Sequence, residues 1–231
     1  MALLRRPLRA KNTCMNILHI SCSPRGRASE SHRLSQEIID YLLRNTPDAT
    51  VVERRLGEDA LMRIDEDYAL SQQSSADAST AGTAATSEVL IKELEQSDCL
   101  VIATPMHNYT VPAALKLWID HVARVRRTFD VGPTGKVGLL RDRPVFVAVS
   151  SGGRFSGESP RQPDFLTPYL KAILGMIGLR NVSIISVEGV ASGSAAVARA
   201  RAQARLKLQD HFARNGGARD EPSHSTGQWP G

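Results

Sequence analysis

The segment that most constrains the fold lies near the middle of the chain, where an apolar run from Asp98 to Ala103 ends in a polar loop bounded by Pro105 and Pro112. The run has no polar alternation, which indicates a strand buried on both faces, as in a parallel sheet covered by helices. The amphipathic segment Ala113–Arg124 follows the loop and predicts a helix. Open α/β sheets bind ligands at the carboxyl ends of their strands, so this loop is expected to line a ligand site.

Strands and helices are predicted to alternate along the rest of the chain. The patterns indicate strands at 16–20, 50–56, 98–103, 144–150 and 182–187, and helices at 29–45, 86–96, 113–124, 165–178 and 195–214. Residues 57–82 show no regular pattern and are expected to be irregular. The expected architecture is α/β: a doubly wound five-stranded parallel sheet of order 2-1-3-4-5, with helices on both faces.

The length bounds the number of domains. A chain of 231 residues is short for two domains, so residues 15–214 are expected to form one. Residues 1–14 are basic and unpatterned: either they form a disordered leader or the native chain begins at Met15. Residues 215–231 are expected to form a disordered tail. No apolar run approaches the roughly 20 residues of a membrane span, so no membrane partner is expected.

The distribution of charge argues against a nucleic-acid partner. The net charge is +5, but the first 14 residues carry four cations and no acid, and residues 215–231 carry a net charge of −1, which leaves residues 15–214 at +2. Such a surface is not a basic binding face. The cluster of Arg124, Arg126 and Arg127 is expected to be a solvated helix end, where cations complement the helix dipole, with contact to an anionic ligand as the alternative.

The three cysteines indicate in which cellular compartment the protein is found. Cys14, Cys22 and Cys99 show neither a C-x-x-C pair nor metal-ligand spacing, and no signal peptide precedes them. This favours the reducing cytoplasm, with no structural disulfide and no metal. Cys99 is expected in the core. Cys22 lies at the end of a predicted strand, and for this residue a reactive thiol is the open alternative.

Three polar loops are expected at one edge of the sheet, because each follows a predicted parallel strand. The first, Ser21–Ser31, brings hydroxyls and a helix amino terminus together, which suits a phosphate, although it matches neither the P-loop nor the G-x-G-x-x-G motif. The second is Pro105–Tyr109. The third is Ser150–Gly153, whose glycines permit close approach to a flat ligand. Together the loops indicate a cofactor site.

Over most of residues 15–213 the chain resembles the FMN-dependent NADH-azoreductases and quinone reductases of the flavodoxin-like superfamily. The resemblance rests on the serine-rich first loop, the loop Ala103–Tyr109 with its helix ending Trp118-Ile119-Asp120, the Ser150–Gly153 turn, and the run Asp164–Leu170 followed by Leu174–Gly178. It implies a flavodoxin-like fold, FMN as cofactor and a homodimer. The implied reaction transfers two electrons from NADH or NADPH through FMN to a quinone or an aromatic azo compound, by a ping-pong mechanism.

The resemblance also implies a set of cofactor-binding residues. The FMN phosphate would contact Ser23, Ser29 and Ser31, with Glu30 contributing at most its backbone. The flavin ring would be lined on one side by Met106, His107, Asn108 and Tyr109, and on the opposite edge by Ser150, Ser151, Gly152 and Gly153.

Two of these positions depart from the family, which often carries Tyr at His107 and Gln at Glu30. A carboxylate beside a phosphate is unfavourable, so Glu30 is expected to turn to solvent, with Arg25 or Arg27 offsetting its charge. The catalytic residues stay unknown, because the flavin itself would react. His107 is expected to pack beside the ring, with donation of a proton to the acceptor as the alternative.

The positions of several aromatic residues near these loops can also be predicted. Trp118 is expected in the core or at a dimer contact, and His121 at the surface or an interface. Phe129 and Phe155 are candidates for an apolar acceptor pocket.

Two other functions stay open. A flavodoxin-type electron carrier would bind FMN and pass electrons between proteins, but carriers usually present an acidic docking face and residues 15–214 are slightly basic. A binding or response-regulator module without flavin would require an acidic pair at the end of the first strand, which this sequence lacks.

Overall fold

A computed structural model describes residues 15–58, 61–73 and 82–216 of the chain. The strands are β1 (Asn16–Ser21), β2 (Thr50–Arg55), β3 (Cys99–Pro105), β4 (Phe129–Gly132), β5 (Gly135–Gly138), β6 (Val145–Ser151) and β7 (Val182–Glu188). The helices are α1 (Glu30–Asn45), α2 (Glu66–Gln73), α3 (Gly82–Gln96), α4 (Ala113–Val122), α5 (Leu166–Met176) and α6 (Ser194–Gly216). The predicted leader, with Cys14, and residues 217–231 of the predicted tail lie outside the described residues.

The five long strands form one parallel sheet of order β2-β1-β3-β6-β7. Numbered among themselves, these strands have the order 2-1-3-4-5, so the predicted order is confirmed. Each is joined to the next through at least one helix, as parallel strands require.

Alternate residues of the central strand β3 belong to two apolar clusters. Leu100 and Ile102 pack with residues of α3, α4 and α5, including Trp118, which is fully buried as predicted. Cys99 and Val101 pack with residues of α1 and α6, which confirms Cys99 as a core residue. The central strands are therefore the most buried part of the molecule, and their carboxyl ends occupy defined positions.

The strand register brings the three predicted polar loops to one edge of the sheet. Ser21 pairs with Ala103, and Pro105 pairs with Ser150. Beyond the strands, the Cys22 amide donates to Ala103 O at 2.9 Å and the Met106 amide donates to Ser150 O at 2.7 Å. The loops that follow β1, β3 and β6 therefore start side by side.

Two elements differ from the sequence-based expectation. Part of the stretch predicted as irregular forms α2, where Asp65 Oδ1 accepts from the Tyr68 amide at 2.8 Å and Tyr68 is buried. One capping carboxylate and one buried ring thus favour a helix that has almost no amphipathic pattern. The glycine-rich loop before β6 contains the antiparallel hairpin β4–β5, whose turn uses Gly135 at φ +117°.

The predictions for the end of α4 are wrong for Arg124 and His121, whereas Arg126 is exposed as expected. Arg124 is buried rather than solvated and pairs with Glu88 of α3 at 3.3 Å, and Arg127 pairs with the same carboxylate at 2.9 Å and with Glu95 at 2.9 Å. Hydrogen bonds from Arg127 lower the pKa of Glu88. His121 is also fully buried, and its Nε2 lies 2.8 Å from Met62 O. Packing of α3 against α4 covers a face that the isolated helix would expose.

No helix among the described residues has both the length and the apolar character needed to cross a membrane.

Candidate cofactor site

The loop after β1 enters α1 through a tight turn that positions three serines. A 3-10 turn at Gly26–Ala28 leads into Ser29, the N-cap of α1, whose Oγ accepts from the His32 amide at 3.2 Å. The same hydroxyl donates to Gly26 O at 2.9 Å. The Oγ of Ser23 accepts from the Arg25 amide at 3.2 Å, so local hydrogen bonds hold both ends of the turn.

This turn has the properties of an anion site. Ser23, Ser29 and Ser31 are all buried, and the hydroxyl oxygens of Ser29 and Ser31 lie 3.4 Å apart. The first amides of a helix have no intrahelical acceptor, and the helix dipole makes its amino terminus positive. The hydroxyls of Ser23 and Ser31 and the first free amides of α1 can therefore donate to a phosphate, and Ser29 joins them when its hydroxyl turns from Gly26 O.

Glu30, the first residue of α1, does not turn to solvent as predicted. Its side chain is only 14% exposed and forms two hydrogen bonds with Arg201 of α6, at 2.7 and 2.6 Å. The hydrogen bonds from Arg201 lower the pKa of Glu30. Arg25 and Arg27, the predicted partners, are both exposed.

The loop after β3 is a tight two-residue turn. The amide of His107 donates to Thr110 O and the amide of Thr110 donates to His107 O, both at 2.9 Å. Asn108 and Tyr109, between them, have φ values of +47° and +69°, the left-handed conformation that such a turn requires. The side chains of His107, Asn108 and Tyr109 are all exposed, so the turn presents them at the edge of the sheet.

The loop after β6 is joined to the β3 loop by Gln162. The Nε2 of Gln162 donates to Met106 Sδ and to Ser151 Oγ, both at 2.9 Å. A Cβ on Gly153 would overlap the side-chain carboxamide of Gln162. Gly152 is exposed. Gly153 therefore makes room for Gln162.

Glu188, at the end of β7, holds the segment that follows this loop. Its carboxylate accepts from the amides of Phe155 and Ser156 at 2.8 and 3.0 Å, and from the hydroxyls of Ser156 and Ser186 at 2.5 and 2.7 Å. Burial would raise the pKa of Glu188, but these hydrogen bonds outweigh it and lower the pKa. The carboxylate is therefore a fixed anchor beside the site.

The aromatic residues of the flanking loops are placed differently from the prediction. Phe129 and Phe155 both belong to the apolar core and are 9% and 8% exposed, so they do not form an open acceptor pocket. Phe165 is 60% exposed instead, and its amide donates to Tyr109 O at 3.1 Å. Tyr109 and Phe165 thus present aromatic surface next to the β3 turn.

A family model described as the flavodoxin-like fold matches residues 15–212. The chain belongs to this flavodoxin-like family. That assignment agrees with the parallel sheet of order 2-1-3-4-5 and with polar loops that converge on its carboxyl edge.

Named relatives of this flavodoxin-like chain include two curated bacterial proteins. It is 49% identical over 201 residues to FMN-dependent NADH:quinone oxidoreductase 4 of Pseudomonas fluorescens, which covers 85% of this chain and 96% of the relative. It is 50% identical over 191 residues to FMN-dependent NADH:quinone oxidoreductase 5 of Burkholderia lata, which covers 81% and 92%. The family resemblance carried by the sequence motifs is thereby confirmed.

A solved structure shares the fold. The FMN-dependent NADH-azoreductase of Bacillus anthracis, in complex with FMN, superposes with a TM-score of 0.73 over 87% of this chain and 99% of its own, at 22% identity.

Cys22 is not a reactive thiol. It is 1% exposed, and burial raises the pKa of its thiol, so it is protonated at neutral pH. The open alternative of a reactive cysteine at this edge of the flavodoxin-like sheet is therefore wrong.

Three residues that contact the site are not predicted from the sequence. Gln162 contacts Met106 of the β3 loop, Glu188 holds Phe155, and Arg201 binds Glu30 at the start of α1. Phe165 lies within the motif Asp164–Leu170. The motif Asp164–Leu170 held a partial signal, because Asp164 Oδ1 accepts from the amides of Leu166 and Thr167 and thereby starts α5. No local pattern indicates the other three contacts.

Proposed function

We propose that this chain is an FMN-dependent oxidoreductase that takes two electrons from NADH or NADPH and delivers them to a small aromatic acceptor, a quinone or an azo compound. The observation that carries the proposal is the buried serine turn at the amino terminus of α1, beside two loops joined by the Met106 amide and Ser150 O. The names of the two curated relatives, both FMN-dependent NADH:quinone oxidoreductases, support FMN, NADH and quinone.

The residues of the site are suited to FMN. Ser23, Ser29 and Ser31 and the first amides of α1 offer donors for a phosphate, and the one carboxylate on that helix turn is paired with Arg201. FMN, when bound, would supply reversible uptake of two electrons, so that donor and acceptor can react in turn by a ping-pong mechanism.

The ring of the flavin would lie between the second and third loops. In this proposal one side of the ring is lined by Met106, His107, Asn108 and Tyr109. The opposite edge is lined by Ser150, Ser151, Gly152 and Gly153. The turn at His107–Thr110 and the link through Gln162 support this arrangement, since both hold the loops by hydrogen bonds within the chain. Glu30 contributes at most its backbone.

The acceptor would bind over the exposed aromatic surface of Tyr109 and Phe165. Both rings can contact a flat apolar compound, and their exposure leaves room for one. His107, exposed on the same turn, would pack beside the ring, or donate a proton to the reduced acceptor.

The decisive test begins with the absorption spectrum of the purified protein and identification of the released chromophore. The proposal expects FMN, and it expects the protein alone to oxidise NADH or NADPH with a quinone or an azo dye. An FMN protein that oxidises neither donor with any acceptor would instead be an electron carrier. A protein that is colourless and cannot be reconstituted with FMN would overturn both functions.

The wider organisation is also proposed. We propose that helices cover both faces of the sheet in the doubly wound manner, which the two apolar clusters support. A homodimer is supported by the exposed side chains of Val131, Val137 and Leu139 on and next to the β4–β5 hairpin. A cytoplasmic location is supported by free cysteines at positions 22 and 99.

A further inference from the structure

Two ion pairs join the first helix of the fold to the last. Arg201 of α6 binds both carboxylate oxygens of Glu30, at 2.7 and 2.6 Å. Arg205, one turn further along α6, binds both oxygens of Glu37 with contacts at 2.9 and 2.8 Å. The two pairs use the same residue types, the same helices and the same bidentate geometry. They differ in their place along α1.

Glu30 stands in the first turn of α1, between the serines Ser29 and Ser31. A carboxylate there suits the helix dipole, but it competes for the same positive end with any phosphate bound by those serines. Two like charges a few ångströms apart near a protein surface repel strongly. Glu37 lies seven residues later, about 10 Å along the helix axis, where screening by salt removes most of such a repulsion.

We propose that Arg201 is a positioning residue for the cofactor phosphate: it neutralises Glu30 and holds that carboxylate against α6, so that the amino terminus of α1 stays available to an anion. This inference rests on the proposed function. Arg201 itself does not touch the phosphate in this arrangement. Its guanidinium is occupied on Glu30, whose side chain is 14% exposed, and the Arg33 Nε lies 4.0 Å from the same carboxylate as a weaker second cation.

The test compares four variants for FMN affinity, with apoprotein prepared from the purified flavoprotein and the dissociation constant measured by quenching of FMN fluorescence. Arg201→Met leaves Glu30 without its bidentate partner and is expected to raise the dissociation constant about tenfold, from Coulomb repulsion at the surface of the protein. This loss should shrink as salt is added. Glu30→Gln removes the repelling charge and is expected to bind FMN at least as tightly as the wild type.

The double variant E30Q/R201M separates charge from packing. If Arg201 acts by neutralising Glu30, the double variant recovers most of the affinity that R201M loses. Arg205→Met is the matched control, because it removes the equivalent ion pair between the same two helices and is expected to leave FMN affinity unchanged. Thermal unfolding of every variant shows whether the fold is retained, and E30Q together with the double variant carries the test even if R201M unfolds.

Each outcome decides one question. Equal losses in R201M and R205M, or no recovery in the double variant, would overturn the role of Arg201 and leave the proposed function intact. If R201M bound FMN as tightly as the wild type, the role of Arg201 would also be overturned and the proposed function would stand. A wild-type apoprotein that binds no FMN would overturn the proposed function, and with it the inference.

Discussion

Ser29 meets two requirements with one hydroxyl: it caps α1 and it stands among the buried serines of the candidate phosphate site. Ser29→Ala is therefore expected to lower the free energy of unfolding by about 1 kcal/mol through the lost cap and also to weaken FMN binding. Ser29→Asp separates the two effects, because aspartate caps helices well but repels a phosphate. Urea unfolding and FMN titration of both variants check this. If S29D bound FMN as tightly as the wild type, the phosphate would not lie at this turn.

The burial of His19 predicts that the stability of the protein depends on pH. It is buried beside His32, and its Nε2 lies 2.9 Å from Ser35 Oγ, which itself donates to His32 O, so neutral His19 donates through Nε2. Burial, followed by the charge of His32, lowers the pKa of His19 from 6.5 to about 4, although Glu53 opposes the shift.

Stability is expected to fall as the pH falls, because the unfolded chain binds a proton on His19 below pH 6.5 whereas the folded protein binds it only near pH 4. The stabilisation is complete above pH 6.5 and is lost as the pH falls toward 4, by at most about 1.4 kcal/mol per pH unit. Urea unfolding between pH 7 and 4.5 measures this loss, and His19→Gln should reduce the slope. Part of the pH dependence should remain in H19Q, because the pKa values of His32 and His211 are also lowered in the folded protein. An unchanged slope in H19Q would contradict the assignment.

At the scale of elements, Gln162 joins two site loops and Gly153 makes room for it. Gly153→Ala is expected to displace the Gln162 side chain from Met106 and Ser151 and to weaken FMN binding several-fold, since the loops lose their link. Gln162→Ala should give a similar loss. Because both changes break the same contact, the double variant should lose little more than either single one. Additive losses, measured by FMN titration, would show that the two residues act separately.

The elements that the sequence predicts well are those that depend on local patterns. The residue order predicts β3 and the start of α1, because burial on both faces produces an apolar run and the N-cap requires a residue such as serine. The hairpin β4–β5 and helix α2 were missed, because each is stabilised by contacts with other elements rather than by its own periodicity. The same reason applies to Arg201, which lies 171 residues after its partner Glu30.

At the scale of the whole molecule, the apolar side chains of the hairpin region predict association. Val131, Val137 and Leu139 are 66%, 48% and 49% exposed, and β5 contacts α5, which starts after Phe165. A second copy would cover this surface and close the side of the site next to Phe165. Val137→Lys is therefore expected to shift the protein from dimer to monomer in light scattering. Val52→Lys, at an equally exposed position on the edge strand β2, is the control. A monomeric wild type would contradict the homodimer.

The contact between α1 and α6 also has a consequence for synthesis. The ribosome produces the serine turn among the first residues of the domain, the Gln162 link much later, and Arg201 near the end of the described chain. Domains generally fold as units, so α1 and α6 pack together late, and Glu30 has no Arg201 to pair with through most of synthesis. During that interval the first turn of α1 carries the unneutralised charge of Glu30. FMN is therefore expected to bind most tightly once α6 has left the ribosome and Arg201 can pair with Glu30.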